Sequence, residues 1–209
     1  MFDKIEKEIK DKKIILFGEI HGTREIPKLL SQFFLELAKK EDFNVCFEIP
    51  EEFQSNPEKF FGNPKFNDGK NSKEYFELIR KLDGLNGRHG KKIKINFIVP
   101  SNAANQEELE IGMVENIKRV SGDKKTFIIL GDIHASKNPL SIGKLKMKTA
   151  GSILFEGFGK EFFNIRIVPK SGEFFNFGIK KVDENFLDED FNKNFDKVYF
   201  LEKVTPCSF

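Results

Sequence analysis

The sequence has no Trp, two Tyr, three Met, three His and two Cys in 209 residues. Two cysteines, one inside an apolar run at Cys46 and one at Cys207, make no disulfide framework. They read as inert thiols in a reducing compartment. No stretch approaches the roughly 18 consecutive apolar residues of a membrane span, and MFDKIEKEIKDKK at the start lacks a secretory apolar region. The expectation is therefore a cytoplasmic protein with no membrane partner. An excess of one charge is also missing, since 35 basic side chains face 33 acidic ones. That balance gives no argument for nucleic acid as a partner. What is abundant is Phe, with 25 copies supplying the bulk of the apolar volume and placing the chain in the globular class. The length suits one domain over residues 1–209, and no linker or low-complexity tract divides it.

Apolar runs alternate with segments of helical period. Ile14–Phe17, Asn44–Ile49, Ile93–Val99 and Thr126–Leu130 read as strands, the second and third ended by Pro50 and Pro100. Between them, Ile26, Leu29, Leu30, Phe33, Phe34 and Leu37 share one helix face, as do Tyr75, Phe76, Ile79 and Leu82. A third helix over 105–120 turns Leu109, Met113, Ile117 and Val120 inward, while 51–72 reads as loop. The fold class expected is α/β, with a mixed, mainly parallel sheet flanked by helices. After Asn138-Pro139, SILFEGFG, the Phe-rich runs around Ser171-Gly172 and DKVYFLEKV suggest C-terminal antiparallel β-hairpin additions.

Two of the strands end alike. KKIILFGEIHGT at 12–23 and KTFIILGDIHAS at 125–136 each run through apolar residues into Gly-x-x-His. In an open parallel sheet ligands bind beyond the carboxyl ends of the strands, so His21 and His134 are expected on one rim. Gly18 and Gly131 permit a sharp turn there, and Glu19 and Asp132 are expected to set a carboxylate beside each imidazole. Glu48 closes the second strand, an acid in an apolar run that requires a partner. His89, in Gly-Arg-His-Gly before a strand, falls at the opposite end of the sheet and reads as a bystander.

The segments LFGEIHGTREIP, CFEIP, ILGDIHASK, AGSILFEGFGKEFFNIRIVPKSGEF and FDKVYFLEKVTP, in this order, resemble the erythromycin-esterase-like and haem-binding ChaN–Tiki–TraB superfamily over nearly the whole chain. The resemblance implies an α/β fold that gathers Glu19, His21, Glu48 and His134 in one cleft. Leu109 and Glu110 stand where an Arg-Asp pair usually precedes the Met-x-x-Asn-Ile helix, so no arginine role carries over. The chain is also much shorter than macrolide esterases, which points to a small-molecule or peptide substrate. The chemistry expected is hydrolysis of an ester or amide, without a nucleophile-elbow serine and hence with water as nucleophile. In it His21 takes a proton from water, Glu48 orients that water, Glu19 supports the imidazole and His134 stabilises the oxyanion. In a metal-dependent variant, His21, Glu48 and His134 are three ligands of a divalent ion. The alternative without catalysis has His21 or His134 ligating haem iron or a small ligand.

Overall fold

The computed structural model describes residues 2–61, 63–142 and 145–209. Its helices are α1 (Phe2–Glu8), α2 (Glu25–Leu37), α3 (Glu58–Phe61), α4 (Lys73–Leu85), α5 (Gln106–Ser121), α6 (Asp132–Ala135), α7 (Ala150–Phe158) and α8 (Glu189–Asn192). The strands are β1 (Ile14–Glu19), β2 (Phe43–Pro50), β3 (Ile93–Val99), β4 (Lys125–Gly131), β5 (Leu140–Ile142), β6 (Leu145–Met147), β7 (Phe162–Pro169), β8 (Glu173–Phe175), β9 (Ile179–Lys181) and β10 (Lys197–Leu201). Six strands form one sheet in the order β10-β7-β1-β4-β2-β3, every neighbouring pair parallel.

A parallel sheet needs both faces covered, and β1 shows how the sequence provides for that, being buried from end to end. Its side chains alternate. Ile15 and Phe17 join the cluster under α2 and α4, whereas Ile14 and Leu16 join the cluster under α5 and α7. The first cluster is dominated by phenylalanine: the Phe127 ring lies 5.4 Å from Phe34, 5.6 Å from Phe43, 5.7 Å from Phe33 and 6.3 Å from Phe17, centroid to centroid.

The C-terminal third takes a course of its own. All of SILFEGFG but its final glycine lies in α7, whose start is fixed by a capping box: Thr149 Oγ1 accepts from Ser152 N at 3.1 Å and Ser152 Oγ accepts from Thr149 N at 2.9 Å. With α7 as the crossover, β7 enters beside β1 as an inner parallel strand, and β10 pairs parallel to it at the edge. The antiparallel hairpins are short and stand apart from the large sheet, as the separate pairs β5–β6 and β8–β9. Within the loop-like 51–72 there are two short helical turns, at Glu51–Phe53 and α3. No helix among the described residues is long and apolar enough to cross a membrane.

The Phe127 contacts set an expectation for stability. Phe127→Ala should cost about 3–5 kcal/mol, the usual range for emptying a fully buried phenylalanine site. Urea denaturation checks it, and a loss below about 1 kcal/mol would show that this ring is not central to the core.

Candidate functional site

Three neighbouring strands, β1, β4 and β2, deliver the candidate residues to one rim. Gly18 is required by close packing: a Cβ there would meet Ala135 Cβ at 2.8 Å and Phe195 Cε1 at 2.9 Å. Glu19 follows, 1% exposed, and then His21. Gly22 turns the chain with φ +81°, and a Cβ on it would collide with the Phe175 carbonyl. The Gly22 carbonyl accepts from Phe175 N at 2.9 Å and Cys207 N at 2.8 Å, and Arg24 N donates to Thr205 O at 3.1 Å. The loop carrying His21 is thus tied to both β8 and the segment after β10.

Glu48 lies where the β2–β3 register shifts between Phe47 and Pro50. Its Oε2 accepts from Gly131 N at 2.7 Å and its Oε1 from Lys70 Nζ at 2.9 Å. Gly131 caps α6, which presents His134. His21 Nε2 lies 3.4 Å from Glu48 Oε2, and His134 Nε2 lies 3.7 Å from Glu48 Oε1. On the far side of each ring a buried carboxylate meets Nδ1: Glu19 for His21, and Glu110 Oε1 at 2.6 Å for His134. A carboxylate only accepts, so at His134 Nδ1 carries the hydrogen toward Glu110, and in both rings Nε2 is turned toward Glu48.

Glu19, His21, Glu48 and His134 are therefore gathered as the sequence led one to expect. The carboxylate beside His134 differs from expectation. Asp132 does not fill that place; its Oδ2 accepts from Arg166 Nε at 2.8 Å, and Arg166 Nη2 lies 2.7 Å from the same oxygen. Asp132 and His134 are two residues apart on one helical turn and project in nearly opposite directions. Glu110 from α5 takes the place instead, fully buried, with Oε2 accepting from Ala150 N at 2.7 Å. His89 belongs to the turn Arg88–Gly90 before β3, at the amino end of the sheet and away from this rim.

Lys70, Glu110, Tyr75 and Arg166 are not among the site candidates of the sequence. Arg166 carried a usable mark, a lone charge in the apolar run FFNIRIVP, the same kind of anomaly that singles out Glu48. It is 2% exposed, donates to Asn192 Oδ1 at 2.6 Å and Phe186 O at 3.1 Å, and lies 4.6 Å from the Phe191 ring centroid. Nothing comparable marks Lys70 in its polar loop.

The electrostatics follow from burial and pairing. Burial disfavours a charged His21, but Glu19 and Glu48 outweigh it and raise the imidazole to about 10. His134 is raised as well, burial being offset by Glu48 and Glu110, and its shift is smaller. Burial works to raise Glu48, yet Lys70, His134 and His21 hold it well below the usual carboxylate range. Burial and the neighbouring Glu19 push the Tyr75 phenol up. Burial also raises Asp132, with Arg166 opposing. Asp132 Oδ1 and Tyr75 Oη are buried without a hydrogen-bond partner. Glu19, His21, Glu48, Lys70, Asp132, His134 and Arg166 line a cleft of about 550 Å3, walled by Ile20, Ile133, Phe174, Phe177, Phe186 and Phe191.

No protein-family profile and no curated sequence matches the chain. Solved structures do. A Bacillus cereus protein superposes with TM-score 0.76 at 13% identity, over 99% of this chain and 92% of that one. A succinoglycan biosynthesis protein gives 0.72 at 11% identity, again over 99% and 92%. An erythromycin esterase, EreC with His replaced by Asn at one position and in its open conformation, gives 0.64 at 10% identity, over 87% of this chain and 78% of that one. The chain shares its fold with these three proteins. At such identities the likeness is one of fold alone.

The superfamily resemblance also implied a divalent metal or haem, and the residues present fit neither. Both Glu48 oxygens already accept hydrogen bonds, one of them from an ammonium that repels a cation. Among the described residues no group of three or more His, Cys, Asp or Glu side chains is arranged to hold a metal ion. Axial haem ligation needs a free Nε2 on an apolar face, whereas both imidazoles aim theirs at a carboxylate and are only 15% and 18% exposed.

The raised His21 links the site to stability. An unfolded imidazole titrates near 6.5 and the folded one at about 10, so its contribution is fully present below about pH 6.5 and is lost as pH rises through about 10. Urea denaturation across that window should show wild type losing stability relative to His21→Asn. Parallel curves for the two proteins would mean that His21 is not held as a cation.

Proposed function

We propose that the chain hydrolyses a carboxylic ester or amide with water as the nucleophile. The observation that carries this reading is the Glu19–His21–Glu48–His134–Glu110 array, in which both Nε2 atoms flank one carboxylate at 3.4 and 3.7 Å inside a cleft. A general base works best with a pKa near the operating pH, which favours the less strongly raised His134 over His21. His134 Nε2 takes the proton from water as the water oxygen attacks the carbonyl carbon. His21, an imidazolium at neutral pH, stabilises the oxyanion and then protonates the leaving oxygen or nitrogen. These two roles are exchanged relative to the sequence expectation, because Glu19 and Glu48 hold the His21 proton too firmly for a base. His134 then releases its proton to solvent and His21, the more basic ring, takes one up, and the site is reset. The apolar wall suits a neutral small molecule or short peptide bearing an apolar group, and the likeness to an erythromycin esterase favours an ester.

A panel of alkyl and aryl esters and short peptides is the direct assay. Glu48→Gln keeps the shape and removes the charge, so kcat should fall about 100-fold or more while KM stays within a few-fold. Absence of turnover across the panel, or an unchanged kcat in Glu48→Gln, overturns the reading. In wild type, kcat/KM should rise through the raised pKa of His134, above the ordinary 6.5, and fall as His21 loses its proton at about 10. His134→Ala should abolish the rising limb; a profile that keeps it would put the base elsewhere.

A further inference from the structure

We propose that Lys70 is a fixed cation at Glu48, beside the His21 imidazolium, and keeps divalent metal ions out of the cleft. Two imidazole Nε2 atoms and one carboxylate are the donor types of a mononuclear metal site, in which bonds of about 2.1 Å place neighbouring donors about 3.4 Å apart. His21 and His134 stand 3.4 and 3.7 Å from Glu48, close to that spacing. What prevents convergence is the hold on Glu48: its Oε1 is turned to Lys70 Nζ at 2.9 Å and its Oε2 to Gly131 N at 2.7 Å.

The lysine is placed rather than loosely present. Asp68 Oδ2 holds the ammonium at 2.8 Å, and Asp68 Oδ1 accepts from Lys70 N at 3.1 Å in a local turn. Gly69, with φ +90°, presses so close to the His21 loop that a Cβ on it would lie 2.4 Å from Gly22 Cα. The loop that carries Lys70 is thereby docked on the loop that carries His21. A positive charge fixed at the shared carboxylate does two things at once: it neutralises Glu48, and it repels any divalent ion approaching the same oxygen.

Removing that charge should convert the cleft into a metal site. The measurement is titration of the purified protein with Co2+, followed by visible absorption, and with Zn2+, followed by calorimetry. Wild type and Lys70→Arg should bind neither stoichiometrically. Lys70→Met, which keeps most of the stem, should bind one Co2+ per chain about 100-fold more tightly or better, and Lys70→Met combined with His134→Ala should lose that binding. Circular dichroism establishes that each variant is folded, with Lys70→Gln standing in if Lys70→Met is not. Stoichiometric Co2+ binding by wild type, or a folded uncharged variant that binds no metal, overturns the proposal. Because the readout is metal binding, the outcome stands apart from whether the cleft hydrolyses anything.

Discussion

Everything at the cleft depends on three parallel strands ending at the same level. Glu19 pairs with Gly131 across β1 and β4, and Phe47 pairs with Ile129 across β2 and β4. That register alone puts Glu48 within 2.7 Å of the Gly131 amide and so between the two histidines. Side chains alternate along a strand, so a slip of one residue in β2 would exchange Glu48 with Phe47 and bury an acid in the phenylalanine cluster. The hydrophobic pattern that fixes the register is therefore also what aims the charged groups. Core and site are specified by the same residues read with alternating parity.

The second constraint is charge. Glu19, Glu48 and Glu110 are buried, and a buried carboxylate is tolerated only with partners. Each has one: His21, the Lys70 ammonium with both rings, and His134. The cations are equally dependent on the acids, since burial alone would drive both imidazoles neutral. The array holds together as a mutually compensated set in which no member is independent. Arg166 and Asp132 form a second compensated pair beside it, packed under Phe191.

Much of this was legible in the sequence because it rests on local pattern. Strand periodicity placed β1 to β4, and a repeated Gly-x-x-His after two of those strands identified the rim. The rest depended on contacts that no local pattern encodes. Glu110 looked like a departure on a helix, and its partner His134 comes from a different element altogether. Lys70 sits in a loop whose composition is ordinary and whose position is set by a glycine–glycine contact. The parallel placement of β7 was hidden because Phe-rich runs around Ser-Gly read as a hairpin, while the Thr149–Ser152 capping box that starts the intervening helix passed unnoticed. Asp132 and His134 are close in sequence, but two residues on a helical turn face nearly opposite ways, which a linear pattern does not show.

The anchoring of the His21 loop has a consequence for how the molecule comes together. Its fastenings, Phe175, Thr205 and Cys207, lie at the far end of the sequence from Gly22 and Arg24. Contacts this distant in sequence close long loops of chain, so the setting of His21 depends on segments that the three-strand centre of the sheet does not include. An intermediate with β1, β4 and β2 paired but this seam open would have a sound core and an unset histidine. The same few backbone hydrogen bonds that join the two ends of the chain therefore set the histidine, while the sheet centre is held by other residues.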